Sequence, residues 1–225
     1  MDQNDARALV AAMHSDLLGR DAESGVLDAL TGELASHGDC SRVLHQLMFS
    51  DEHLEGSISE AYRLVFRRDP SRSETAASMS SIHSGKVWPS DLALVLLQAI
   101  PRDRRQTTAS LLALLYDVAL DRVLTVAEMN HWVGWKSGGD RSSLLRAVWD
   151  SPEAVEHRLA RAYRTHLWRD PDPSGIKVWG PCLAALGDEP VRAGLVSSLE
   201  YLILARARAA ASRTPSGPFP FAPPR

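Results

Sequence analysis

Apolar residues recur along this chain at helical spacing. Leu111, Leu112, Leu115, Val118 and Ala119 fall on one helical stripe, and so do Leu92, Val95, Leu96 and Ala99. No stretch sustains the alternation of apolar and polar residues that a half-buried strand needs, so the pattern predicts an all-α protein with little or no β-structure. The longest apolar runs, LALVLLQAI and LLALLYDVAL, are too short or too interrupted to cross a bilayer, and no membrane span is expected.

The helical stripes belong to a divergent repeat. An aromatic residue or histidine stands six residues before an arginine four times: His14 and Arg20, Tyr62 and Arg68, Tyr116 and Arg122, Tyr163 and Arg169. A glycine follows each arginine by 17 or 18 residues, at Gly38, Gly85, Gly139 and Gly187. An apolar run then leads to Ser50-x-Glu52, Ser151-x-Glu153 and Ser198-x-Glu200, while the second copy has AIPRD instead. The arginines lie 48, 54 and 47 residues apart, a period that points to stacked supersecondary units. The chain is expected to form four divergent repeats of about three helices each, stacked or paired into one helical domain. Their expected bounds are 5–56, 57–106, 107–156 and 157–211. Each first helix carries the aromatic residue and ends near the arginine, the second begins just after it, and the glycine closes the second. Residues 212–225 (SRTPSGPFPFAPPR from Ser212) are Pro-rich and are expected to be a disordered tail, in which Phe219 and Phe221 stand between prolines.

Polar residues mark the helix ends. Three residues past the arginine come Ser71, Thr125 and Asp172, types whose side-chain oxygen accepts a bond from an unpaired N–H of the first turn. Ser71 with Glu74, and Thr125 with Glu128, have the spacing of capping boxes. Pro173 suits a first helical position. Repeat one is a residue shorter here, and Asp21 or Ser24 is expected to serve. Gly38, Gly85, Gly139 and Gly187 are expected to be left-handed C-caps, with Asp39, Asp140 and Asp188 capping the third helices. The segment RDPDPSGIKVW begins like a calcium loop, but its twelfth position from Asp170 is Pro181, which offers no side-chain ligand. The recurring Arg20, Arg68, Arg122 and Arg169 read as structural clamps on helix-end carbonyls or on carboxylates of the Glu52 and Glu153 type.

Composition narrows the function. With 225 residues, 44% of them hydrophobic, the chain can bury a sizeable core. The net charge of −3, with acids spread among the local basic patches, does not suit a phosphate-tracking surface, and no nucleic-acid partner is expected. Cys40 and Cys182 are too few and too far apart for a disulfide framework or a cysteine zinc site. No phosphate-binding glycine loop, nucleophile elbow or H-E-x-x-H helix occurs. His45 and His53 read as surface or capping histidines. Of the six tryptophans, Trp132 and Trp179 align between repeats and are expected in the core, while Trp135 and Trp168 are candidates for exposed binding aromatics.

The repeat resembles the bacterial domain of unknown function numbered 4214. That pattern has a helix with a tyrosine, then GRDPDPxG, a helix with a tryptophan, a glycine turn and a closing SxEF. Repeat four carries Tyr163, Arg169, Asp170, Pro171, Asp172, Gly175, Trp179, Gly187, Ser198, Glu200 and Tyr201. Repeat three keeps Tyr116, Arg122, Trp132, Gly139, Ser151, Pro152 and Glu153, and repeats one and two keep less. The resemblance covers about residues 5–205. It implies an all-helical fold similar to the helical domain of phycobilisome linkers, and an accessory or interaction role beside surface-layer, calcium-repeat or glycosyltransferase modules. It carries no catalytic residues and no cofactor.

The expectation is a non-catalytic helical interaction module binding a protein partner or a cell-envelope glycan. The alternatives are an enzyme or accessory subunit in polysaccharide assembly, and a calcium-dependent adhesion module. The N-terminus lacks an apolar signal core. A complete chain is therefore expected in the cytoplasm, and a fragment of a longer one at the cell surface or secreted. The sequence does not fix an oligomeric state.

Overall fold

The structure is a computed structural model that describes residues 1–101, 107–133 and 140–212. Gly139, Trp135 and residues 213–225, with Phe219 and Phe221, lie outside the described residues. Among those described there are thirteen α-helices and no strand. They are α1 (Gln3–Leu18), α2 (Ser24–His37), α3 (Cys40–Met48), α4 (Asp51–Phe66), α5 (Arg72–His83), α6 (Leu92–Ala99) and α7 (Thr108–Leu120). Then come α8 (Val126–Val133), α9 (Arg141–Trp149), α10 (Pro152–Leu167), α11 (Pro173–Leu186), α12 (Asp188–Val196) and α13 (Leu199–Ala211). The protein is all-α, and the helices follow one another as four triplets with α13 after the fourth.

The chain divides into two compact units, one of residues 1–53 with 159–225, the other of residues 54–158, so the boundaries fall inside α4 and α10. In the first unit α1 packs on α2, α3 and α13, and α12 packs on α3, α11 and α13. Leu9, Val10, Met13, Leu34, Val43, Leu44, Val191 and Tyr201 form its buried centre. In the second unit α6 and α7 pack on α9 and on each other, and α8 packs on α7. Leu54, Ile58, Leu94, Leu97, Leu112, Leu115 and Leu145 are its largest fully buried residues. Each such side chain contributes about 1.5–3 kcal/mol by leaving water.

The first helix of each triplet (the lead helix) ends in the same way. The residue just before each recurrent arginine is left-handed: Gly19 with φ 67°, Arg67 with φ 56°, Asp121 with φ 49° and Trp168 with φ 55°. This turn lets the N–H of Gly19, Arg67 and Asp121 bond the carbonyl four residues back, and it points the arginine back across the end of the lead helix. Only the first copy has the residue that adopts this conformation without strain.

The lead helices α4 and α10 begin earlier than the expected repeat bounds. The Ser-x-Glu sequence does not close a triplet. It opens the next lead helix: the Ser50, Ser151 and Ser198 hydroxyls accept the N–H groups of His53, Ala154 and Tyr201 at 3.3, 3.3 and 3.1 Å. By the same signal α13 has the sequence position of a lead helix.

The exposed Asp121 side chain tests the turn. Asp121→Gly is expected to raise stability by about 0.5 kcal/mol by relieving the left-handed strain, less than the full relief because glycine gains freedom in the unfolded chain. Asp121→Val is expected to lower stability by more than about 1 kcal/mol. Thermal and urea denaturation of the three proteins check both signs.

Candidate functional site

The helix starts place the recurrent polar residues. Ser71 accepts the Glu74 N–H at 3.3 Å and Glu74 accepts the Ser71 N–H at 2.7 Å. Thr125 and Glu128 make the same reciprocal pair, at 3.3 and 2.9 Å. Asp172 accepts the Gly175 N–H at 2.7 Å with Pro173 in the first turn. Asp39 and Asp140 cap α3 and α9 through Ser41 and Ser143. Three expectations need correction. Neither Asp21 nor Ser24 caps α2; Glu23 occupies the position without a side-chain bond. Asp188 lies within the first turn of α12, because α12 follows α11 with only Gly187 between them. Gly187 has φ 84° and ψ −173°, so it turns the chain sharply and does not take the left-handed helical form of Gly38, while Gly85 is left-handed one residue beyond the Ser84 cap.

The four recurrent arginines each reach a carboxylate in the first turn of a helix. Arg20 holds Glu52 with two bonds of 2.6 Å. Arg122 holds Glu153 at 2.6 and 2.7 Å, and Arg169 holds Glu200 at 2.6 and 2.8 Å. In all three, the carboxylate is the one that follows the serine cap of the next lead helix. The second copy lacks that glutamate, and Arg68 takes the capping-box Glu74 at 2.6 and 2.8 Å. Arg122 holds both, with Glu128 at 2.6 and 3.1 Å. Each guanidinium also donates to the carbonyl of the residue that follows it, at 3.0–3.3 Å.

The aromatic of the pattern lies beneath the guanidinium. The centres are 5.6 Å apart for Arg68 and Tyr62, 4.9 Å for Arg122 and Tyr116, and 5.1 Å for Arg169 and Tyr163. His14 instead donates from Nδ1 to the Arg20 carbonyl at 3.0 Å. Trp132 donates to the Tyr116 hydroxyl at 2.7 Å. In the fourth copy, Gly175 leaves room for Tyr163, since a β-carbon there would lie 2.5 Å from its hydroxyl. Trp132 and Trp179 are half-buried rather than fully in the core.

These joints are acid-sensitive. Arg68 and the Ser71 N–H pull the Glu74 carboxyl down to about 2. Arg122 and Thr125 do the same for Glu128, also to about 2. Both lie below the ordinary 4.5, so their contribution is complete above about pH 4.5 and is lost as pH falls toward 2.

The remaining candidates are engaged elsewhere. Trp168 is half-buried, with the Arg208 guanidinium 4.9 Å over its ring. Asp170 accepts from Arg164 at 2.7 Å, as Asp69 does from Arg63 at 2.6 Å, and Asp172 accepts from Ser174 at 2.5 Å. His53 donates to the Leu17 carbonyl at 3.0 Å, and His45 stacks on Phe49. A shallow groove of about 500 Å³ lies between α4 and α5, lined by Glu55, Ser59, Arg63, Asp69, Arg72 and Met79 among others, with the Arg63–Asp69 pair at its edge.

A buried polar cluster in the first unit has no counterpart among the sequence candidates. Asp16 at the end of α1 has a side chain only 4% exposed. It accepts from the Tyr201 hydroxyl at 2.8 Å, from Arg208 Nη2 at 2.8 Å and from His166 Nδ1 at 3.4 Å. His166 is fully buried, and its Nε2 has no hydrogen-bond partner. Burial, reinforced by the Asp16 carboxylate, pushes the Tyr201 hydroxyl well above its usual range, so it stays protonated and donating. Its partners stand 150 and 185 residues from Asp16, so no local spacing announces them.

No family model matches this chain, and neither does any curated protein or solved structure.

Two substitutions read the weights of these contacts. Arg122→Ala is expected to cost about 1 kcal/mol after solvent screening, a fall in Tm of roughly 2–4 °C. It should also flatten the acid dependence between pH 4.5 and 2 in urea titrations run across that range. Tyr201→Phe, which strips a donor from a buried carboxylate, is expected to cost about 1.5–3 kcal/mol by denaturant unfolding.

Proposed function

We propose that this chain is a non-catalytic helical interaction module, an accessory part of a bacterial protein, which binds a protein partner through the outer face of α13. The observation that carries this reading is a substitution of character at aligned positions. One and five residues past the capping serine, α4 has Asp51 and Glu55 and α10 has Pro152 and Glu156, all exposed. At the same positions α13 has Leu199 and Ile203, exposed at 70% and 55%. The two lie one turn apart on a single face. Leucine and isoleucine held in water at a site where the sister helices carry acids and a proline suit a helix-in-groove or helix-on-helix contact. The resemblance to the 4214 family supports an accessory role in the same direction.

A protein partner is favoured over a glycan. A sugar-stacking tryptophan needs an open ring face, and one face of Trp168 lies under Arg208. The recurrent arginines and their glutamates are engaged with one another at the joints, and the Leu199–Ile203 stripe is one of several exposed apolar features among the described residues, with Trp88, Val123 and Val126 exposed elsewhere.

The test places a photo-crosslinking residue at position 203 of the full chain in the cells that produce it. One adduct of discrete mass is expected, and it should disappear when Leu199→Glu is added. The same residue at position 55 should give none. Leu199→Glu should leave stability within about 0.5 kcal/mol, because the side chain is exposed. Absence of an adduct at 203, or the same adducts from 55, contradicts the reading.

A further inference from the structure

We propose that the Asp16–His166–Arg208 cluster is an acid-released latch that holds α13 on the first unit. Three helices meet at the one carboxylate: α1 supplies Asp16, α10 supplies His166, and α13 supplies both Tyr201 and Arg208. The carboxylate balances one guanidinium, and the charges cancel only while the imidazole is neutral.

The hydrogen bonding fixes that state. Nδ1 of His166 faces a carboxylate and donates to it, which leaves Nε2 as a bare lone pair with no partner. Protonation would add an N–H with nothing to accept it, inside a site of zero exposure. It would also add a second cation facing the same carboxylate. The groups that face His166 are Asp16 from α1, Tyr201 and Arg208 from α13, and Arg192 from α12. Two of them are cations and one is an anion, so the surroundings do not welcome a further positive charge.

Burial, with Arg192 and Arg208, outweighs Asp16 and holds the His166 imidazole below the ordinary 6.5. In the released state His166 is in water and takes up its proton near 6.5. The held state is therefore at full strength above about pH 6.5. It weakens as pH falls, by up to about tenfold in population per pH unit until the held imidazole itself titrates.

The helix that yields is α13, of which only Tyr201 and Ala205 are buried. Its other ties survive mild acid. Arg206 holds Asp5 with two bonds of 2.6 Å and keeps its carboxyl below the usual carboxylate range, and Arg169 does the same for Glu200. Loss of hold between pH 6.5 and 5.5 is thus a histidine event. Release changes how the outer face of α13 is presented, whatever binds that face.

The test is amide hydrogen exchange on the full chain at pH 7.5, 6.5 and 5.5, corrected for the intrinsic pH dependence of exchange. Peptides from residues 199–211 are expected to lose protection by up to about fivefold between pH 6.5 and 5.5, while peptides from α7 hold theirs. His166→Gln, which keeps a donor for Asp16 and cannot be charged, is expected to abolish the pH dependence in α13. Unchanged protection of α13 across the range overturns the proposal, and so does an equal loss in His166→Gln. If that variant does not fold, the carbon shifts of the wild-type imidazole decide. A His166 ring that titrates near 6.5 while α13 stays protected overturns the latch, and a ring still neutral at pH 5.5 in the protected population supports it.

Discussion

A lead helix in this protein ends in a left-handed residue, and the next residue is an arginine whose five donors must be met. The rest of the local structure follows from how they are met. Two go to a carboxylate and one to the adjoining carbonyl, which closes the turn between the first and second helices. In three copies the carboxylate belongs to Glu52, Glu153 or Glu200, two residues past a capping serine. The same bond therefore fixes both the foot of one lead helix and the head of the next. Each pair is part-exposed and individually modest. What it supplies is register, because a planar fork on a carboxylate tolerates little rotation.

The buried cluster acts on a different scale. Asp16 and Arg208 come from opposite ends of the described chain, and their pairing brings the first and last helices together. A buried ion pair adds little net stability over a well-packed apolar contact, but breaking it is costly. Its value is selectivity: α13 must dock with Arg208 at Asp16 and its ring partner Trp168 beside it. The same low-dielectric site that enforces this choice also makes the neighbouring imidazole intolerant of a proton.

The caps were legible in the sequence because they are local. Ser71 with Glu74, and Thr125 with Glu128, act across three residues, and spacing alone reveals them. The all-helical fold was legible from apolar period in the same way. The left-handed turn was not, because only Gly19 advertises it; Arg67, Asp121 and Trp168 carry the conformation against their preference. The role of Ser-x-Glu is hidden for a related reason: a serine between two helices can end one or begin the other, and only the direction of the N–H bond decides. The Asp16 cluster left no trace, since its members are separated by most of the chain. The exposed stripe on α13 becomes visible only when the helix is aligned with α4 and α10, which requires knowing that it begins like a lead helix.

The central claim is that the arginine and the glutamate of the next lead helix act as a pair. A double-mutant cycle on Arg122 and Glu153, with its equivalent on Arg169 and Glu200, measures this directly by urea denaturation at pH 7 and low salt. The account predicts favourable coupling in both cycles, on the order of 0.5 kcal/mol and diminished by salt. Coupling indistinguishable from zero in both would contradict it.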